Sequence, residues 1–172
     1  MDAFVAYSIP VKGLNVGIHH FKYTIDPAFF SRFEGTPIEK GEIQIDLVFD
    51  KRSNMIVLDF ELAGYAMAEC DRCTAQIKLP LEGTQQLIVK YTEEEDLQEE
   101  EDDEVIFISR DTSAINMAIY LYEFAVLALP ITNTYDCEND PAPPCNFEVL
   151  KYLDQNPDQS DSSNIWDALK GL

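Results

Sequence analysis

A chain of 172 residues, 46% of them hydrophobic, can bury a core without a covalent staple and reads as one domain with tails. Its formal net charge of -20 and pI of about 4.1 exclude a bare phosphate backbone as a general partner. The Lys and Arg residues never form a run longer than Lys51-Arg52, so direct RNA binding is disfavoured and a basic protein is the better-matched partner.

The pattern along the chain begins with strands. Residues 14–25 alternate imperfectly. Asp26-Pro27 ahead of Phe29, Phe30 and Phe33 predicts a short helix, with Asp26 as cap and Pro27 at its first position. Ile43, Ile45, Leu47 and Phe49 alternate with Glu42, Gln44 and Asp46, and Ile56, Leu58, Phe60 and Leu62 resume the period after Lys51-Arg52-Ser53-Asn54, which is a hairpin signal. Two further strands are expected at residues 77–81 and 87–91. Residues 93–104 are acidic at ten of twelve positions, so a solvated, mobile loop is expected there. Val105 to Ile108 reads as a short buried strand.

Residues 112–129 predict the principal helix, capped from Asp111-Thr112-Ser113 and ended by Pro130. Ile115, Ile119, Tyr122 and Val126 line one face, while Met117, Leu121, Phe124 and Ala125 cover most of the rest. A helix apolar nearly all round is a central one. The span from Ala114 to Ile131 contains Asn116 and Glu123, which favours a buried helix over a membrane span. Met1 to Tyr7 has no signal-peptide character, so the expected compartment is the reducing cytoplasm. Residues 147–153 suit a short helix. Residues 154–163 read as a linker. Residues 164–172 place Ile165, Trp166, Leu169 and Leu172 near helical spacing, as an apolar tail helix docked on its own body or on a partner. The expected fold is α+β: a single domain over 1–153 in which a bent antiparallel sheet, with barrel-like closure left open, packs on one central helix.

The four cysteines carry the sharpest chemical signal. Cys70-Asp71-Arg72-Cys73 has the spacing of half a zinc knuckle, and Cys137 and Cys145 form a second, wider pair. One structural zinc on Cys70, Cys73, Cys137 and Cys145 is one reading, and four unrelated small residues is another. A catalytic dithiol is a third, weakened because such centres start a helix whereas this pair lies between two strands. Glu123 is the only charged residue from Ala114 through Pro130 and must be paired, protonated or turned to water. Arg72 inside the cysteine turn would suit it as a bidentate partner; a solvent-facing helix edge is the alternative. His19 and His20 are neighbours on a strand and face opposite ways, so they do not share a metal ion. The acidic block lacks the glycine turn and ligand spacing of an EF-hand loop. The sequence carries no Ser-His-Asp arrangement, phosphate loop or dinucleotide fingerprint, and the expectation is a protein that is not an enzyme.

In order along the chain stand Cys-Asp-Arg-Cys after an apolar strand, an acidic loop leading into a short strand, and a helix with a central Glu running into Leu127-Ala128-Leu129-Pro130. A cysteine follows soon after, and Trp166 and Leu169 make a terminal Trp-x-x-Leu. From about Ile43 to Leu172 this order resembles the YceD family, the large ribosomal RNA subunit accumulation proteins. The resemblance implies a cytoplasmic protein of bacterial type, with no established enzymatic activity and a link to a small ribosomal protein of the large subunit. It maps the family pattern onto Cys70, Arg72, Cys73, Glu123, Leu129, Pro130 and a downstream cysteine. Many members carry a His after the Leu-Pro; here Tyr135 stands near that place and an extra cysteine is present. Cys137 and Cys145 together replace a His/Cys pair, or one of them is incidental.

Charge and resemblance converge on an acidic accessory factor in large-subunit biogenesis that binds a basic ribosomal protein or assembly intermediate. In it the cysteine cluster is structural, Arg72 and Glu123 support it, and the acidic loop and Trp166 face a partner. The alternative is a thiol-based redox enzyme or a metal-dependent enzyme.

Overall fold

The computed structural model describes residues 4–93 and 105–155. The acidic stretch from residue 94, most of the expected linker and the Trp166 tail lie outside them. The chain divides into two compact units, residues 1–68 with 78–131, and residues 69–77 with 132–172.

The first unit is built on a five-stranded sheet of β2 (Gly17–Ile25), β3 (Gly41–Lys51), β4 (Met55–Glu69), β5 (Gln76–Thr92) and β6 (Val105–Ser109), in that spatial order. Two end segments, Glu69 and Gln76–Ile77, fall in the second unit. The hairpin read from residues 43–62 is present: β3 and β4 pair antiparallel from Gly41↔Ala66 to Lys51↔Ile56. Period-two burial explains both strands. Ile43, Ile45, Leu47 and Phe49 are buried on β3, and Ile56, Leu58, Phe60 and Leu62 on β4. β2 pairs antiparallel with β3, and His19 and His20 fall at successive positions on it.

Three expectations need correction. The strands at 77–81 and 87–91 are one strand, β5, because Glu82 to Gln86 continue the ladder even though polar side chains mask the alternation. The sheet is mixed, since β6 runs parallel to β5, from Ile88↔Val105 to Thr92↔Ser109. A parallel pair needs a connection of about a dozen residues, and residues 93–104 supply it. The strand order is also open, with β2 and β6 at its edges, so no barrel closes.

The principal helix is shorter than its apolar pattern. Ile115–Asn116 form strand β7, antiparallel to β1 (Ser8–Ile9), and helix α2 covers only Ala118–Leu127. Asn116 Oδ1 accepts from the Ala118 N–H at 2.9 Å, but the cap position itself is Met117, which offers no side-chain acceptor, and the expected cap residues Asp111-Thr112-Ser113 lie ahead of β7. α2 is not enclosed on every side. Leu121, Phe124 and Ala125 are buried, while Ile119 is 46% and Leu127 67% exposed. Phe124 meets Phe60 edge-on at 4.9 Å, and Tyr122 stacks on Phe33 at 3.9 Å. The helix after Asp26 is α1, Pro27–Phe30, whose Phe29 N–H donates to Asp26 Oδ1 at 3.0 Å as expected. α1 buries Phe29 and Phe30 in the same core.

In the second unit the final helix, α3, runs from Phe147 to Gln155, two residues into the expected linker. Phe147, Tyr152 and Leu153 are more than half exposed on it. Among the described residues no helix is long and apolar enough to cross a membrane.

Candidate functional site

The cysteine turn lies in the second unit, between the end of β4 and the start of β5, so the Cys-x-x-Cys does not open a helix. The turn is closed by its own backbone. The Cys70 N–H donates to the Ala75 carbonyl at 2.8 Å, and the Thr74 N–H to the Cys70 carbonyl at 2.8 Å. Thr74 takes a left-handed conformation with φ 57°, which lets the chain reverse within so few residues. Both thiols are interior: Cys70 is 2% and Cys73 0% exposed.

Asp71 fixes the segment after Ile131 to this turn. Its N–H donates to the Asn133 carbonyl at 2.8 Å, and its carboxylate accepts from the Asn133 N–H at 2.7 Å. That clamp brings Tyr135 against the first cysteine. Burial pushes the Cys70 thiol up, but the Arg72 and Cys73 backbone N–H groups, the Cys73 side chain and the Tyr135 N–H outweigh it, so the thiol lies below its ordinary value. The carbonyl oxygen of the same Tyr135 lies 3.5 Å from Cys137 Sγ. One residue's backbone therefore touches a sulfur of each pair, and the two pairs, more than sixty residues apart in sequence, share one neighbourhood.

Cys137 and Cys145 are joined as a disulfide with Cα atoms 6.2 Å apart, while Cys70 and Cys73 are free. The loop between them is stitched by acidic side chains. Asp136 accepts from the Glu138 and Asn139 N–H groups, Asp140 accepts from the Ala142 N–H, and the Tyr135 hydroxyl donates to the Asp140 carboxylate. The last contact raises the Tyr135 phenol and lowers the Asp140 carboxyl from their ordinary values. In the disulfide state the second pair offers no thiolates, and among the described residues no group of three or more His, Cys, Asp or Glu is arranged to hold a metal ion. The donor chemistry at Cys70 does suit an anionic sulfur, because three amide N–H groups converge on it.

A match to the family model of the large ribosomal RNA subunit accumulation protein YceD covers residues 58–172, which takes in both cysteine pairs, β5, β6, α2 and α3. The chain belongs to the YceD family. That membership links it to large-subunit biogenesis. No curated protein and no solved structure matches the chain.

Of the residues expected to matter, Cys70, Cys73, Cys137 and Cys145 fall in one unit of this YceD-family fold. Arg72 is exposed in the same turn; Glu123 belongs to the other unit, on the open side of α2. Trp166 is outside the described residues. Sequence reading missed Asp71 and Asn133, whose paired bonds hold the turn. The available signal was a carboxylate inside the Cys-x-x-Cys, a place where a short acceptor can reach backbone N–H groups.

Proposed function

We propose that this protein is a non-enzymatic, acidic accessory factor that promotes accumulation of large-subunit ribosomal RNA by binding a basic ribosomal protein or an assembly intermediate in the cytoplasm. The observation that carries this reading is the family match over residues 58–172. The net charge of -20 supports a basic partner, since a field of that sign raises encounter rates with cationic proteins and is screened by salt. Capture of large-subunit proteins from a lysate should be strong at low salt and lost at high salt. Cells lacking the protein should show a depleted large-subunit peak on sedimentation. Normal large-subunit levels would overturn the reading.

The cysteine cluster serves this function as a structural clasp. Reduction of the Cys137–Cys145 bond by a cellular dithiol, which gives up two electrons and two protons and becomes a disulfide itself, frees two thiols beside the Cys70–Cys73 turn. The four thiols would then release four protons to solvent and hold one zinc ion as thiolates in closed, tetrahedral form, which stabilises a loop-rich unit of this size. The amide donors around Cys70 and the Tyr135 backbone between the pairs support that arrangement. Protein prepared reduced with zinc present should contain one zinc per chain, and Cys70→Ser should lose it. Substoichiometric metal would count heavily against the clasp. The enzyme alternative requires accessible, reactive thiols. Cys70 at 2% and Cys73 at 0% exposure favour a scaffold, so iodoacetamide should modify them only on unfolding. Rapid labelling of the native protein would restore the redox reading.

A further inference from the structure

We propose that the first unit carries a docking cleft for a Lys/Arg-bearing amphipathic segment, formed between α2 and the middle of β5. This rests on the basic-partner reading above and names the surface that would take the partner. A groove of about 710 Å³ runs along the open side of α2. Leu87, Ile106 and Phe124 form its buried floor, and Ile119, 46% exposed, and Leu127, 67% exposed, stand on its wall. Its volume lies within the range of about 300–1,000 Å³ typical of built binding sites.

The groove does not end in neutral surface. Thr84, Gln85 and Gln86 line it and also line a second depression of about 370 Å³ on the sheet. That depression carries Asp46, Asp59 and Glu61. Strand register brings the carboxylates together, because Asp46 faces Glu61 across β3 and β4. Gln86 Nε2 donates to Asp59 Oδ1 at 2.6 Å, which holds one carboxylate at the edge shared by both depressions. Lys22 reaches Asp46 at 2.6 Å, but both side chains are more than half exposed, so an incoming cation displaces that pair at little cost.

An apolar trough opening onto a carboxylate row matches a segment with large apolar side chains on one face and Lys or Arg beside them. A second copy of this chain is the wrong occupant by sign, since each copy brings a net charge of -20 and the same carboxylate row. RNA is disfavoured on the same ground.

The test uses the full chain and a fluorescent Leu/Lys peptide with leucines at i, i+3, i+4 and i+7, alongside a control in which Ser replaces every Leu. The Leu/Lys peptide should bind about tenfold more tightly than the Ser/Lys control, as expected for fully burying one apolar side chain. The double variant Ile119→Ser/Leu127→Ser, at exposed positions and checked for a native circular-dichroism spectrum, should erase that tenfold difference and leave the Ser/Lys affinity unchanged. Asp59→Asn/Glu61→Gln should weaken the Leu/Lys peptide about threefold to tenfold and flatten its salt dependence. Equal binding of the Leu/Lys peptide by wild type and the groove variant overturns the cleft. Equal, salt-dependent binding of both peptides also overturns the cleft but leaves the basic-partner reading standing. Failure of both peptides to bind at low salt overturns the two together. A dimer on sedimentation that Leu127→Ser dissociates assigns the groove to self-association and overturns the peptide proposal.

Discussion

Gly64→Ala is expected to destabilise the first unit by about 3 kcal/mol, the upper end of ordinary overpacking. A Cβ at Gly64 would lie 2.2 Å from the Glu42 carbonyl oxygen and 2.6 Å from the Ile43 Cα. Both are backbone atoms of the neighbouring strand, so no side chain can rotate aside. Strands β3 and β4 must instead separate where Ile43 faces Gly64, and the ladder on either side loses its bonds. Gly41 is held the same way, with a Cβ there 2.5 Å from the Tyr65 carbonyl oxygen. Gly83 provides the contrast: a Cβ there makes an ordinary 3.6 Å contact with Ala128, so Gly83→Ala should leave stability within about 0.5 kcal/mol of wild type. Urea denaturation of the three proteins separates these outcomes. A Gly64→Ala midpoint equal to wild type would show that the strands do not approach so closely.

Phe60→Ala is expected to cost about 3–5 kcal/mol, the range for emptying a large aromatic site in a packed core. Phe60 is 2% exposed and meets the Phe124 ring edge-on at 4.9 Å, so the truncation removes both buried area and a directed ring contact. Phe124 also floors the groove beside α2. The cavity therefore lies beneath the proposed docking surface, and α2 loses the ring that seats it on the sheet. Binding of the Leu/Lys peptide should weaken in parallel with stability. A variant with unchanged peptide affinity and a midpoint within experimental error of wild type would place α2's support elsewhere in the core.

Much of this fold was legible because one physical signal dominates each element. The β3–β4 hairpin buries one face, so Ile43 to Leu62 alternate cleanly. α1 starts where Asp26 and Pro27 say it should. β5 was harder to read as one strand, because Thr84-Gln85-Gln86 occupy the stretch where the sheet borders an open groove and no apolar demand is imposed. The start of α2 was misplaced because Ile115 and Met117 are as buried as helix residues while the backbone at Ile115–Asn116 pairs with β1. Hydrophobicity reports burial there, and only the long-range partner decides between strand and helix. At the candidate site, spacing identified the cysteines as two pairs. It could not reveal that the Asp71–Asn133 bonds bring Tyr135, and with it Cys137, to the first pair, because that contact spans some sixty residues.

The parallel register of β6 against β5 also bears on how the chain folds. β2 through β6 follow one another in both sequence and space, and the connection from β5 to β6 is set apart by its charge and not by its length, since residues 26–40 between β2 and β3 make a longer one. β6 joins β5 in parallel only when a connection with ten acidic residues in twelve has closed. Self-repulsion opposes that closure and dissolved salt relieves it. The edge that carries Ile106, and with it one side of the groove, should then assemble faster as ionic strength rises.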